Sequence, residues 1–168
     1  MKAVLLSIRP NWCKLIWSGM KTVEVRKTRP KLETPFKVYI YCSGNSGWLM
    51  RSPKGLRKMD RKVIGEFTCD KIDKLVHVGT MMDINILTLD GWYKPADALL
   101  QAACLTEAQA EKYIKGGDGY CWHISNLKIY DRPLDLRELT GLQETRFGMR
   151  PVEITSPPQS WRYVEDEK

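Results

Sequence analysis

Apolar and polar positions along this chain alternate in short stretches that predict strands more often than helices. The run KAVLLSI at residues 2–8 is apolar and of strand length, which predicts a first strand. Apolar residues then recur at helical spacing between Pro10 and Gly19. Proline is typical of a first helical turn and glycine of the position after the last, so these two residues bound a predicted helix.

The stretch after this helix alternates with the period of a strand. Val23 and Val25 are expected to face the core, whereas Thr22, Glu24 and Arg26 are expected to share the opposite face. Glu24 is the only acidic residue among the first 31. The strand therefore carries one isolated carboxylate in the most basic part of the chain.

The rest of the chain gives further strands and one more helix. Alternating or β-branched runs predict strands at 37–43, 62–75, 120–130 and 159–164. A helix is predicted over 106–115, because Thr106 and Gln109 have the spacing of a capping box.

Three segments lack a sustained period. Residues 44–61 are interpreted as a long basic loop, and the chain from 140 onward as an irregular tail. No element is predicted within 76–95. About six strands and two or three helices without regular alternation indicate one α+β domain over 1–168. A small, strongly bent mixed sheet or a barrel flanked by the helices is the expected architecture.

Composition excludes several classes of protein. No apolar run is long enough to cross a membrane, and the first residues lack the pattern of a signal peptide, so the cytoplasm is the expected location. The five cysteines are odd in number and form no CxxC pair. This is typical of reduced core thiols rather than of a disulfide framework or a zinc site. We therefore expect no metal, no cofactor and no membrane partner.

The net charge of +7 is unevenly distributed. Residues 1–31 contain eight basic side chains and one acidic one, which leaves 19 of each sign in the remainder. A second basic concentration, from Arg51 to Lys62, has six basic residues and one acidic residue. Two basic segments in a small domain indicate an anionic partner, with nucleic acid first. Surface charge that serves only solubility is the alternative.

The residues around the isolated carboxylate resemble a known motif. Gly19, Lys21, Glu24 and Arg26 follow a short strand and a helix with the spacing GxKxxExR, which is the signature of ASCH domains. The flanking stretches LSIRP, VIGEF, WHISNLKIYDRPLDL and PPQSW also resemble small ASCH proteins, many of them encoded by phages or prophages. The resemblance covers residues 3–136 and the PPQSW stretch.

This resemblance implies a fold similar to that of the PUA superfamily of RNA-binding β-barrels, with the motif residues at the mouth of a cleft. Binding of RNA or a nucleotide is the first function that it implies. A small hydrolase is the second, because one branch of the family hydrolyses acetylcytidine and another member has been assigned ribonuclease activity. A phage accessory protein that binds another protein is the third.

The chain departs from the amidohydrolase branch at one position. That branch carries a threonine where this chain has Glu24, so the hydroxyl nucleophile of that mechanism is missing. Thr22 is a weak substitute, because it lies at a different position along the strand. If the chain is an enzyme, Lys21 and Glu24 are the expected catalytic pair.

The chemistry of the motif favours binding. A carboxylate near Lys21 would favour the ammonium form, which makes this lysine a ligand for phosphate or carbonyl oxygen before it is a general base. Glu24 would accept hydrogen bonds from a base amino group or a ribose hydroxyl, and Lys21, Arg26 and Arg9 would hold the phosphate. The alternative is that Glu24 only neutralises its lysine and arginine neighbours inside the fold.

Further candidate residues lie outside the motif. Trp48, Arg57 and Lys58 are expected to bind nucleic acid, with Trp48 stacking on a base and the basic loop mobile until a polyanion binds. Glu66 is a candidate second carboxylate of the cleft. His123 is interpreted as a hydrogen-bonded structural histidine rather than a catalyst.

Overall fold

The computed structural model describes residues 1–77, 84–87 and 93–166. The strands in these residues are β1 (Lys2–Ile8), β2 (Val23–Arg26), β3 (Phe36–Cys42), β4 (Leu49–Ser52), β5 (Gly55–Lys58), β6 (Lys62–His77), β7 (Ile84–Leu87), β8 (Tyr93–Pro95), β9 (Gly119–Leu134), β10 (Thr140–Thr145), β11 (Gly148–Glu153) and β12 (Trp161–Glu165). The helices are α1 (Pro10–Trp17), α2 (Asp97–Ala102), α3 (Glu107–Ile114) and a short 3₁₀ helix at Leu136–Glu138.

Ten of these strands form one mixed sheet. The hydrogen-bonded order is β11-β10-β12-β1-β3-β6-β7-β8, and β9 pairs with both β2 and β6. β1 and β3 run parallel, joined by a crossover that contains α1 and β2. The ladder between β6 and β9 shifts register at three places, and such bulges bend the strands. Of the two predicted architectures, the described strands form the mixed sheet and not a closed barrel, which confirms the α+β class.

β2 is buried on both of its faces. Val23 and Val25 pack with Leu99 of α2 and Ile114 of α3 in one hydrophobic cluster. The other two residues of the strand, Glu24 and Arg26, are also buried, at 6% and 9% exposure. The predicted division of β2 into an apolar face and a charged face is therefore confirmed, with the difference that protein covers the charged face too.

Both predicted helices are present. α1 has Pro10 in its first turn, and Gly19 beyond its end has a positive φ of 77°, a conformation that glycine adopts without strain. α3 begins with the predicted capping box: the Thr106 hydroxyl accepts from the Gln109 amide N–H at 3.2 Å, and the Gln109 side chain accepts from the Thr106 N–H at 2.9 Å. α2 was not predicted.

The prediction of an irregular basic loop at 44–61 is wrong. β4 and β5 form an antiparallel hairpin inside it, because Pro53 and Gly55 build the turn between two strands. Asp60 fixes its base: this carboxylate, 1% exposed, accepts from the Ser46 hydroxyl at 2.8 Å and from the Trp48 N–H at 3.0 Å. Burial opposes ionisation of Asp60, but these hydrogen bonds lower its pKa below the usual value.

The prediction of an irregular tail from 140 is wrong up to the last strand, because β10 and β11 pair over six positions. The strand predicted at 159–164 is present as β12, which pairs with β1 and β10. Within 76–95, where no element was predicted, β7 and β8 are described, and 78–83 and 88–92 lie outside the described residues. None of the described helices is long and apolar enough to span a membrane.

Candidate functional site

A cleft of about 810 Å³ lies beside the charged face of β2. The motif residues Lys21, Glu24 and Arg26 line it together with Ser7 at the end of β1. Three further segments contribute its other walls: Arg9 and Trp12 at the start of α1, Gln109, Lys112 and Tyr113 of α3, and residues 157–160 before β12. The sequence analysis predicted a cleft at this motif, and the structure has one there.

A turn after α1 brings the motif lysine to the cleft. Gly19 donates its N–H to the carbonyl of Ile16, and its positive φ reverses the chain. The Lys21 N–H then donates to the carbonyl of Leu15 at 3.0 Å, one turn back along the helix. Glycine at the first motif position therefore has a backbone role, because other residues would be strained in this conformation.

Glu24 lies between two buried cations. Its Oε2 is 3.2 Å from Lys21 Nζ, and its Oε1 is 2.9 Å from Arg26 Nη2. The three side chains are 7%, 2% and 10% exposed, for Glu24, Lys21 and Arg26 respectively. The isolated carboxylate is thus the counter-ion of its own motif, and the group carries one net positive charge.

The ammonium of Lys21 is fully engaged by the protein. Besides Glu24, it donates to the carbonyl of Ala103 at 2.6 Å, at the end of α2. It also lies 4.8 Å from the centre of the Trp12 ring, close enough for a cation–π interaction. The ammonium is therefore surrounded by a carboxylate, a backbone carbonyl and an aromatic ring. Lys21 therefore connects β2, α1 and α2 across the cleft floor.

Arg26 anchors the floor to β1. Its Nη2 donates to the carbonyl of Ser7 at 2.6 Å as well as to Glu24. Its Nε is buried and has no hydrogen-bond partner among the described residues. A buried donor without an acceptor is uncommon in proteins, and an ordered water is one group that supplies such an acceptor.

The cleft as a whole is positively charged. Four of its lining residues are basic and one is acidic: Arg9, Lys21, Arg26 and Lys112 against Glu24. Arg9 and Lys112 are exposed at the rim, in contrast to the two buried cations of the floor. Two aromatic rings, Trp12 and Tyr113, line the same space. Cations around a cleft with aromatic walls suit an anionic ligand that carries a planar group.

The chain before β12 forms the remaining wall. The Ser7 hydroxyl donates to the carbonyl of Pro158 at 2.7 Å, and the Ser7 N–H donates to the carbonyl of Ser160 at 2.9 Å. These bonds hold the PPQSW stretch against the motif. Sequence reasoning noted that stretch only as a flank, and it interpreted Gln109 only as a cap. Lys112 and Tyr113 received no functional prediction.

Three predicted binding residues lie outside the cleft. Trp48, Arg57 and Lys58 belong to the β4–β5 hairpin and its base. Trp48 packs against the main hydrophobic cluster, and Lys14 Nζ of α1 lies 5.7 Å from the centre of its ring. The structure thus gives this tryptophan a packing role that the sequence analysis did not expect.

The other candidate groups also lie elsewhere. Thr22 is exposed and does not line the cleft, so it is not placed as a substitute nucleophile. Glu66 accepts from the Tyr130 hydroxyl at 2.5 Å and does not line the cleft either. His123 Nε2 lies 2.7 Å from Asp73 Oδ2, consistent with its interpretation as a structural histidine.

The cysteines are free thiols. Burial raises the pKa of Cys13, Cys69 and Cys121, that of Cys69 to about 12, so these thiols stay protonated near neutral pH. In the part of the chain that the structure describes, no three histidine, cysteine, aspartate or glutamate side chains are grouped to hold a metal ion.

Comparison with solved structures finds similar folds. A crystal structure of ASCH from Zymomonas mobilis matches with a TM-score of 0.52 at 19% identity, over 97% of this chain and 87% of that one. A mutant of that protein with tyrosine changed to phenylalanine matches with a TM-score of 0.52 at 20% identity, over 98% and 91% of the chains. A mutant of the same protein with serine changed to alanine matches with a TM-score of 0.52 at 19% identity, over 97% of this chain and 88% of that one.

No family model and no curated protein matches the sequence. The relationship is therefore visible in the fold rather than in overall sequence identity. It agrees with the resemblance that the GxKxxExR motif and its flanks predicted, and the motif lies at a cleft, as that resemblance implied. The chain has the fold of an ASCH domain.

Proposed function

We propose that this chain is an RNA- or nucleotide-binding module whose ligand occupies the cleft at the GxKxxExR motif. The observation that carries the proposal is the lining of that cleft, in which four cations face one carboxylate beside two aromatic rings. A phosphate group complements the charge, and a nucleobase complements the rings. The five free cysteines suit the reducing cytoplasm, where we propose that the protein acts.

The lining residues divide into two groups by exposure. Arg9 and Lys112 are exposed at the rim, so they are free to reorient and contact phosphate oxygens directly. Lys21 and Arg26 are buried, and they donate to protein acceptors. They contribute a fixed positive field on the floor. Arg26 Nε is the floor donor that still lacks an acceptor.

Glu24 orients this floor and contributes to ligand choice. Each of its oxygens accepts from one cation, and a carboxylate oxygen has a second acceptor site. A base amino group or a ribose hydroxyl is the kind of donor that would use it. The negative charge of Glu24 also repels phosphate groups at the floor of the cleft. We therefore expect the phosphates at the rim and the nucleoside inside the cleft.

The aromatic walls favour a stacked base. Trp12 has Lys21 Nζ near one face of its ring, and Tyr113 has Lys27 Nζ 5.3 Å from its ring centre. A base stacking on the opposite face of either ring gains about 1–3 kcal/mol by analogy with single-strand-binding proteins.

Binding of labelled RNA, followed by fluorescence anisotropy, tests this proposal. The double variant Arg9→Ala/Lys112→Ala should weaken binding roughly tenfold. It should also lower the salt slope, the dependence of the logarithm of the binding constant on the logarithm of the salt concentration, by about 1.4, because each phosphate contact to a single strand contributes about 0.7. The matched control Arg146→Ala/Arg150→Ala removes two exposed cations from the β10–β11 hairpin and should bind as the wild type does. Absence of binding to RNA, single-stranded DNA and nucleotides at low salt would sink the proposal.

A hydrolase is the second candidate, and the observation that favours it is that both members of the expected catalytic pair, Lys21 and Glu24, line the cleft. Product analysis after incubation with acetylcytidine and with mixed RNA tests it. Turnover that is lost in a folded Lys21→Met variant would establish this activity in place of simple binding. A protein-interaction domain would be favoured if pull-downs gave protein partners and no nucleic acid.

A further inference from the structure

The β4–β5 hairpin presents two distinct faces. In its ladder Leu49 is opposite Lys58, and Arg51 is opposite Leu56. These four residues are all exposed, Leu49 at 54% and Leu56 at 68%. Opposite residues of a ladder share a face, so these four residues form the outer face of the hairpin. On it the two leucines are diagonal to each other, and so are the two cations.

The inner face of the hairpin is turned toward the protein. Met50 is opposite Arg57, and both are half-buried. Arg57 Nη1 is buried, and Met50 packs against the main hydrophobic cluster. Of the hairpin residues that the sequence analysis proposed for nucleic-acid binding, only Lys58 therefore belongs to the outer face.

The outer face has no compensating acidic side chain in its own segment. Asp60 is the only acidic residue between 44 and 62, and it is buried and committed to the base of the hairpin. Arg51, Lys54 and Lys58 form no ion pair with any acidic side chain that the structure describes. The exposed cations are therefore available to an anionic partner.

The hairpin is attached beside the cleft. Ser43, which lines the cleft, donates its N–H and its hydroxyl to the carbonyl of Ile8. The chain continues from there through Trp48, whose ring lies under Lys14 of α1. A ligand that leaves the cleft past Ser43 therefore meets a positive surface from α1 and the hairpin.

We propose that the outer face of this hairpin is a second contact surface for a single-stranded polynucleotide whose other end occupies the cleft. The cations contact phosphates, and the exposed leucines cover apolar faces of sugars and bases. This rests on the proposed function and narrows its ligand from a nucleotide to a strand. The four-residue β-strands extend about 13 Å, so an RNA that covers the outer face of the hairpin in addition to the cleft is longer than a mononucleotide.

The inference is tested by comparing a mononucleotide with a single-stranded RNA of about 12 nucleotides, a length within the site sizes of single-strand-binding domains. The wild type should bind the longer RNA at least tenfold more tightly. The variant Arg51→Ala/Lys58→Ala, which removes both cations of the outer face, should lose most of that gain and lower the salt slope by about 1.4, with mononucleotide affinity unchanged. The matched control is Arg146→Ala/Arg150→Ala, in another exposed hairpin, which should retain the gain.

The outcomes separate this inference from the proposed function. Equal affinity for mononucleotide and longer RNA, or a gain that survives in Arg51→Ala/Lys58→Ala, would overturn the second surface while leaving binding in the cleft intact. Absence of binding to either ligand would overturn both. Both variants change exposed residues, and equal melting temperatures would show that loss of fold is not the cause.

Discussion

Replacement of Glu24 by alanine should destabilise this protein far more than replacement of a surface carboxylate. Glu24 is the acidic partner at 3.2 Å from Lys21 and 2.9 Å from Arg26. Lys21 is 2% exposed and Arg26 is 9% exposed. The Glu24→Ala variant would therefore bury two cations beside each other without a counter-ion.

The expected magnitude follows from the cost of breaking a buried ion pair. Removing one partner of such a pair costs about 3–5 kcal/mol, because the remaining charge stays buried and unpaired. In proteins of this size 1 kcal/mol shifts the melting temperature by about 2–4 °C, so the expected decrease is roughly 6–20 °C. The Glu24→Gln variant retains one acceptor oxygen and should lie between the wild type and Glu24→Ala.

Thermal unfolding measured by circular dichroism provides the assay. The matched control is Glu153→Ala, which removes an exposed carboxylate whose Oε1 lies 3.9 Å from Arg137 Nε. This control should shift the melting temperature by no more than about 1–2 °C. A double-mutant cycle with Lys21→Met should show coupling, because the doubly changed site has one buried cation fewer. Equal shifts for Glu24→Ala and the control would refute the reasoning.

Two further predictions concern the hairpin base and the long strands. Asp60→Asn should destabilise the fold by about 1–3 kcal/mol at neutral pH. The folded-state pKa of Asp60 is lowered, so the stabilisation by its carboxylate is present above about pH 3.9 and is lost as the pH falls further. The difference in melting temperature between Asp60→Asn and the wild type should therefore narrow as the pH is lowered below about 3.9. A difference that stays constant would contradict this. Gly65→Ala would place a Cβ 2.4 Å from the carbonyl oxygen of Lys128. Overpacking of this kind costs about 1–3 kcal/mol, so the melting temperature should fall. An unchanged melting temperature would show that β6 and β9 can move apart without cost.

The sequence predicted the local part of the site well. Period-two alternation in β2 separated Val23 and Val25 from Glu24 and Arg26, and helix signals placed α1 directly before them. These features depend on residues close together in the chain. The expectation of a cleft came from the resemblance to ASCH domains.

The contacts between distant segments could not be predicted in this way. The carbonyl that holds Lys21 belongs to Ala103, and the wall that faces Ser7 comes from Pro158 and Ser160. Backbone acceptors carry no signal in residue type or spacing. The hairpins were missed for a different reason: proline and glycine end regular structure in one context and form a tight turn in another, and only the pairing of the flanking strands distinguishes the two.

The most direct test of the cleft as the ligand site is an amide and side-chain NMR titration of the protein with a mononucleotide. Binding in the cleft should shift the indole N–H of Trp12, the Nε–H of Arg26 and the amide N–H groups of Gln159 and Ser160, and should leave the β10–β11 hairpin unchanged. Shifts confined to residues outside the cleft, or no shifts at concentrations that saturate binding by anisotropy, would contradict the account.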